Sequence, residues 1–321
     1  LKNPKVVAFG GGHGLFLTLS SLRAVTRDIT AIVTVADNGG SSGRLRSEFN
    51  SLPPGDLRMA LAALCGDDEW GRSWAELLQY RFTSAGPLDG HALGNLLLTA
   101  LWQKIENPIA GLDRVGELLR TVGRVLPMAI TPVDIEATFL VHGEKVSVRG
   151  QKEVALAIGE LDELHLISET HSRSAPLATE EALAAIAQAD WITFGPGSWI
   201  SSVLPHLLLE RQRIAIENSP AKRILLLNLD SIPSDQSDEF AGRPALAHIE
   251  TFRRYAPEMK IDFAVADSSI VDDGTSLSQA IADMGGELIV ADIASSGESN
   301  RHDREKLTSI LRHIFSGEVL R

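Results

Sequence analysis

Three glycine-rich stretches carry the residue types and spacing needed to hold phosphate. They are GGGHG (Gly10, Gly11, Gly12, His13, Gly14), DNGGSSGR (Asp37, Asn38, Gly39, Gly40, Ser41, Ser42, Gly43, Arg44) and GPGS (Gly195, Pro196, Gly197, Ser198). Glycine has no Cβ and accepts positive φ, so such turns let backbone N–H groups approach an anion that a side chain would keep away. GGGHG and GPGS each follow an apolar strand and lead into a helix, whose free N–H groups and dipole favour phosphate. Two turns of this kind on one sheet edge suit a diphosphate better than a single phosphate. Gly14 lies two residues beyond Gly12 and Leu15 three beyond, so the dinucleotide fingerprint fails, and no Gly-Lys-Ser/Thr follows to make a Walker loop. His13 reads as a ligand contact, a loop-stabilising donor or an exposed side chain.

The remaining chemistry lies in polar side chains near these turns. Asp37 follows the second strand, where nucleotide-binding folds place an acid on ribose hydroxyls; it could also bind a cation or close an Asx-turn. Ser41, Ser42 and Arg44 can donate to phosphate. In LPPGDLR, Asp56 stands near a helix start, either as a cap or as a functional acid beside Arg58 that orients substrate or holds Mg²⁺. Asp37 and Asp56 are therefore the candidate metal ligands. His91 and Asn95 in GHALGN lie four apart, which on a helix gives them one face, lining a cleft or bonding between helices. SNRHDREKL reads as a helix start with Asn300 as N-cap; Arg301 and His302 project into the cleft or lie on a solvated first turn.

These loops need strands and helices to position them. Continuous apolar runs at 5–9, 29–36, 191–194, 223–229, 261–266 and 287–293 predict strands. Helical spacing marks 15–25, most of 54–102, 179–189, 201–210 and 301–315. Such alternation predicts an α/β fold with a mostly parallel sheet covered by helices on both faces. The stretch at about 122–150 is short-stranded and broken by Pro or Gly, predicting a small antiparallel elaboration with a hairpin at His142 to Lys145.

Composition narrows the function classes. The net charge of −12 and scattered basic residues argue against counterion-driven nucleic-acid binding, so a small anion must be drawn by local dipoles and a few arginines. No apolar run approaches ~20 residues and LKNPK lacks a signal-peptide pattern, so no membrane span and a cytoplasmic location are expected. The single cysteine, Cys65, excludes an internal disulfide and reads as core packing.

GGGHGL, VTVADNGGSSGRLR, PPGDLRMAL, GHALGNLL and ADWITFGPGSWISSVLP occur in the order seen in the gluconeogenesis factor family (YvcK-like). That family is similar in fold to the 2-phospho-L-lactate transferases (CofD-like), and the resemblance covers nearly the whole chain. It implies one Rossmann-like α/β domain over 1–321, a homodimer in the bacterial cytoplasm, and binding of a UDP-sugar such as UDP-N-acetylglucosamine or UDP-glucose. It further implies a role in cell shape and envelope synthesis on gluconeogenic carbon sources, exercised through a regulatory partner protein, and adds Asn228 to the ligand-binding positions. The transferase branch uses a related cleft for a guanylylated lactate donor, Mg²⁺ and a deazaflavin acceptor, and Asp56 matches a position implicated there. Trp199 and Ile200 replace the Leu-Tyr often found after GPGS in relatives. Several anion-binding turns without an evident nucleophile and base pair point to a non-enzymatic sensor; the alternative is a Mg²⁺-dependent transferase using Asp56 and Arg58.

Overall fold

The computed structural model describes residues 3–168, 176–229, 245–271, 274–296 and 298–317. Strand β1 (Lys5–Gly10) leads into α1 (Gly12–Leu22), and β2 (Asp28–Val33) into α2 (Gly40–Phe49) and α3 (Pro54–Ala63). Helices α4 (Glu69–Gln79), α5 (Leu93–Lys104) and α6 (Pro108–Leu119) precede β3 (Arg124–Pro127). Strands β4 (Val133–Val141) and β5 (Glu144–Arg149), the short α7 (Gln151–Ala155) and β6 (Glu160–Ser168) follow. After α8 (Glu180–Gln188), β7 (Trp191–Phe194) runs into a π-helical turn (Trp199–Val203), then α9 (Pro205–Leu208), α10 (Glu210–Asn218) and β8 (Lys222–Leu226). The chain continues through α11 (Ala245–Tyr255), β9 (Phe263–Asp267), α12 (Gly274–Ala282) and β10 (Glu287–Ala291). A small ribbon of β11 (Ala294–Ser295) and β12 (Glu298–His302) delivers the chain to α13 (Arg304–Ser316).

Seven strands form one sheet in the order β10-β9-β8-β7-β1-β2-β3, every neighbouring pair parallel. Parallel strands covered on both faces read as unbroken apolar runs, and Val6, Val7, Ala8 and Phe9 of β1 are all buried. On one face α1 packs against α3 and α13; on the other α8 packs against α10 and α11 against α12. From β1 the chain winds toward β3, and from β7 toward β10, so strand order reverses between β1 and β7. Among the described residues, no helix is long and apolar enough to cross a membrane. Cys65 is buried, donates to the Leu61 carbonyl at 3.5 Å and has its thiol pKa raised to about 11 by burial, so it packs as core.

The elaboration expected at 122–150 is displaced. β3 belongs to the main sheet, beside β2, and the separate antiparallel sheet is β5-β4-β6, spanning 133–168. Its third strand escaped the sequence reading because ELDELHLIS has exposed charges and only a partial apolar alternation. The hairpin turn is where expected: His142 and Gly143 have φ of 52° and 87°, the twist that suits a two-residue turn. Contacts from Arg46 and Asn38 help bolt this small sheet and α7 to the main body, and Arg149 of β5 shares the same aspartate as Arg46. Asp134 on β4 accepts from Arg46 Nη2 at 2.6 Å and from Arg149 Nε at 2.8 Å. Asn38 donates to Glu153 Oε2 at 3.0 Å and accepts from the Lys152 amide at 3.1 Å.

Removing one partner of a buried ion pair strands the other charge, which costs about 3–5 kcal/mol, whereas exposed pairs contribute about 0–1 kcal/mol. Arg46 is 4% exposed and Arg149 is 49% exposed. Asp134→Ala is therefore expected to lower the urea-unfolding free energy by about 3 kcal/mol and Arg149→Ala by less than about 1 kcal/mol. Equal losses would contradict this assignment.

Candidate functional site

Strand order reverses between β1 and β7, and the crevice outside the carboxyl ends of such strands is where open α/β sheets hold ligands. GGGHG and GPGS line it and touch. A Cβ on Gly14 would overlap the Pro196 carbonyl oxygen, so only glycine lets the turns close to this distance. Thr18 Oγ1, one turn into α1, donates to the Gly195 carbonyl at 3.0 Å. Helices α1, α2 and α3 all begin here and none has a side-chain bond from its own N-cap residue, although the first amide of α1, on Gly12, donates to Asp56. Elsewhere α4, α6, α8 and α13 are capped by Asp68, Asn107, Thr179 and Asp303, whereas α5 and α10 are not. Helix-start amides that have no protein partner are donors an anion can use.

Asp56 occupies the floor. In the first turn of α3, it accepts from Thr34 Oγ1 at 3.3 Å and from the Gly12 amide. A Cβ on the neighbouring Gly11 would stand 2.5 Å from Asp56 Oδ2 and 2.8 Å from Thr34 Oγ1, so this turn too needs a bare backbone. Burial, and then the negative charge of Asp37, raise the Asp56 carboxyl to about 7, against the weaker pull of its donors and of Arg58. Asp37 accepts from the Gly39 amide at 2.9 Å with Oδ1, closing the Asx-turn that the sequence allowed. Its Oδ2 faces Gly55, at the start of α3. Arg58 is 3% exposed, donates to Gln79 Oε1 and is lowered to about 10, mainly by burial and then by Arg81.

Basic side chains act on the same region: burial and then the positive charges of Arg301, Arg58 and Arg81 hold His13 below its usual pKa. Arg81 is the residue that the sequence reading missed. Its segment looks like a continuation of α4, but that helix ends at Gln79, and Arg81 instead pairs with Ala92 in a short antiparallel bridge. Arg81 Nη1 donates to the Gly90 carbonyl at 2.8 Å, which steadies the side chain.

Other expected site residues hold the loops through bonds to the protein, and Asn38, Gly40, Arg44 and His91 also line a groove beside α2. Ser41 Oγ lies 2.9 Å from His91 Nδ1 and accepts from Asn95 Nδ2 at 3.0 Å, all three side chains buried. The trio is the interhelical option: it locks the start of α2 to α5, with His91 just ahead of that helix rather than on it. Ser42 is buried against Gly55. Arg44 is exposed and donates to the Asp89 carbonyl at 2.7 Å, while Asn38 ties Gly39 and Gly40 to α7. Ser198 accepts from the Ser201 hydroxyl at 2.6 Å and amide at 3.3 Å. Asn228 embraces Gly197, donating to its carbonyl at 2.7 Å and accepting from its amide at 2.8 Å. Trp199 and Ile200 are wholly buried, with Trp199 stacked 5.0 Å from His248, so these departures from relatives are core changes.

The last expected motif needs correction. Arg301 and His302 belong to β12, and α13 starts at Arg304 with Asp303 as its cap, accepting from the Glu305 and Lys306 amides at 2.8 and 3.0 Å. Asp303, directly ahead of α13, takes the N-cap role expected of Asn300, which lies within β12. His302 turns inward, 3.1 Å from the Leu227 carbonyl, and burial lowers its pKa to about 4. Among the described residues no trio of His, Cys, Asp or Glu could hold a metal by itself. The Asp37 and Asp56 carboxylates fit a hard cation of the Mg²⁺ type, which commonly takes one or two carboxylates and completes its shell with water and ligand phosphate.

A carboxyl whose folded pKa is raised keeps a proton that the unfolded chain releases, so stability falls as pH rises between the two values. For Asp56 that window runs from 3.8 to about 7. Asp56→Asn is expected to match the wild type near pH 4 and to melt about 2–4 °C higher at pH 8. A constant difference across that range would show that Asp56 does not titrate there.

The family model described as 2-phospho-L-lactate transferase CofD matches residues 6–318. A gluconeogenesis factor family protein of Mycobacterium leprae is 41% identical over 323 residues, covering 98% of this chain and 87% of the relative. The gluconeogenesis factor of Listeria innocua is 32% identical over 308 residues, covering 95% of this chain and 86% of that protein. A crystal structure of a UPF0052 family member from Bacillus halodurans superposes with a TM-score of 0.83 at 28% identity, over 97% of this chain and 99% of that one. The chain therefore belongs to the gluconeogenesis factor family, within the CofD-type α/β fold.

Proposed function

We propose that the crevice binds the diphosphate of a UDP-sugar and that the protein acts as a sensor of nucleotide-sugar supply, not as a catalyst. The observation that carries this reading is that the positive charges of Arg58, Arg81 and Arg301 all act on His13, in a turn that touches a second glycine turn, in a chain whose net charge is −12. Like charges gathered at one point raise the free energy of the empty protein, and a polyanion relieves that repulsion. Bound ligand then favours whichever conformation or homodimer arrangement holds it more tightly, and a partner protein reads that state in the cytoplasm. The family name supports a link to gluconeogenic carbon flux and, through the UDP-sugar, to envelope synthesis and cell shape.

A Mg²⁺-dependent phospholactate-type transferase is the second reading. Its support is Asp56, a carboxyl whose pKa of about 7 suits a general base, with Asp37 beside it and the CofD family model over the chain. Incubation with nucleotide diphosphate donors and Mg²⁺ separates the two: binding without turnover favours the sensor.

Calorimetry with UDP-N-acetylglucosamine, UDP-glucose, GDP and NAD is expected to give saturable binding for at least one UDP-sugar; none at millimolar ligand would remove the reading. Arg81→Ala is expected to weaken that binding roughly ten- to a hundredfold, the effect of one charge-assisted hydrogen bond. Negative charge beside His13 opposes the arginine fields that depress it, so binding is expected to take up protons near neutral pH. Titrations in buffers of different ionisation enthalpy measure that uptake, and proton release in the absence of Mg²⁺ would contradict it.

A further inference from the structure

We propose that His206, buried behind β1 and outside the crevice, is a positioning residue that fixes the phosphate turn from the rear. This rests on the reading of the crevice as an anion site. His206 is 0% exposed on α9, and its ring packs 4.9 Å from Phe9. Its Nε2 lies 3.4 Å from the Gly10 carbonyl oxygen, which also accepts from the Thr34 amide at 3.1 Å.

The tautomer follows from Gln212. The Gln212 amide nitrogen donates to the His206 carbonyl at 2.9 Å, which orients the amide, and the same nitrogen lies 3.2 Å from His206 Nδ1. An NH₂ group facing Nδ1 makes that nitrogen an acceptor, so the single proton of neutral imidazole sits on Nε2. Burial keeps the ring neutral, lowering its pKa to about 3. His206 is therefore an Nε2–H donor aimed at Gly10.

That bond acts on the amide beyond it. In a trans peptide the Gly10 carbonyl and the Gly11 N–H point in opposite directions. With the carbonyl held on the β2 side by Thr34 and His206, the Gly11 N–H faces the side where β7 and the GPGS turn lie. Gly11 is the N-cap of α1, so its peptide sets the direction in which the first amides of that helix point. Asn228 does the corresponding work on Gly197, so each turn is held by a side chain that does not itself need to meet the ligand.

The test uses the intact protein with UDP and inorganic pyrophosphate as probes, read by calorimetry, together with ¹⁵N NMR of the imidazole. The wild-type ring is expected to carry its proton on Nε2 between about pH 5 and 8. His206→Leu removes the donor and is expected to weaken both probes roughly tenfold, while His206→Gln, whose amide can reach the same carbonyl, stays within about threefold of wild type. Ile281→Ala, which opens a cavity in α12 beside the edge strand β10, is expected to lower the melting temperature without changing either affinity.

A proton on Nδ1, a Leu variant that binds like wild type, or a Gln variant no better than Leu would overturn the assignment. Should His206→Leu fail to fold, the wild-type tautomer and the Gln variant carry the decision. Failure of the wild type to bind either probe removes the anion reading itself, whereas wild-type binding with an indifferent Leu variant removes only the role of His206.

Discussion

The contact between the two glycine turns at the strand reversal is the constraint on which the site depends. Gly14 lies so close under the Pro196 carbonyl that no other residue fits, and that closeness brings the turns after β1 and β7 to one rim. Sheet topology explains why the contact is there. β1 and β7 are neighbours in the sheet, but their crossovers leave in opposite directions, so the turns that follow them meet at the carboxyl edge of the sheet. The starts of α1, α2 and α3 and the Asp56 carboxyl are arranged around that contact.

Local and global electrostatics oppose each other in this chain. An acidic protein does not attract a phosphorylated ligand through its overall field, so attraction must come from short-range donors and from arginines held in a water-poor setting. The structure buries Arg58 and leaves Arg81 and Arg301 exposed, with the Asp37 and Asp56 carboxylates close to Arg58. Desolvation and the neighbouring Asp37 leave Asp56 near half-protonation at neutral pH, so the charge of the crevice adjusts to what enters it. Phosphate favours the protonated carboxyl and a hard cation the ionised one.

Much of this was legible in the residues. The buried strands of the parallel sheet announce themselves as unbroken apolar runs, and the turns after β1 and β7 as glycine clusters at strand ends. What escaped has identifiable causes. β6 carries exposed charges that blur its alternation, and the helix expected at 201–210 is split by the π-helical turn, Pro205 and Leu209. Ser41, His91, Asn95, Asn228 and His302 have donors and acceptors suited to a ligand, but they spend them on the protein, a distinction set by tertiary partners far apart in sequence. Arg81 and His206 gave no signal because a lone basic residue or histidine acquires meaning only from what faces it.

The most direct measurement is an amide-resolved NMR titration of the ¹⁵N-labelled protein with UDP. The account expects Gly11, Gly12, Gly14 and Gly197 to shift together and saturate at a common ligand concentration, since both turns grip one diphosphate. Shifts confined to a single turn, or to the groove between α6 and β3 lined by Asp113, Arg120 and Arg124, would contradict it.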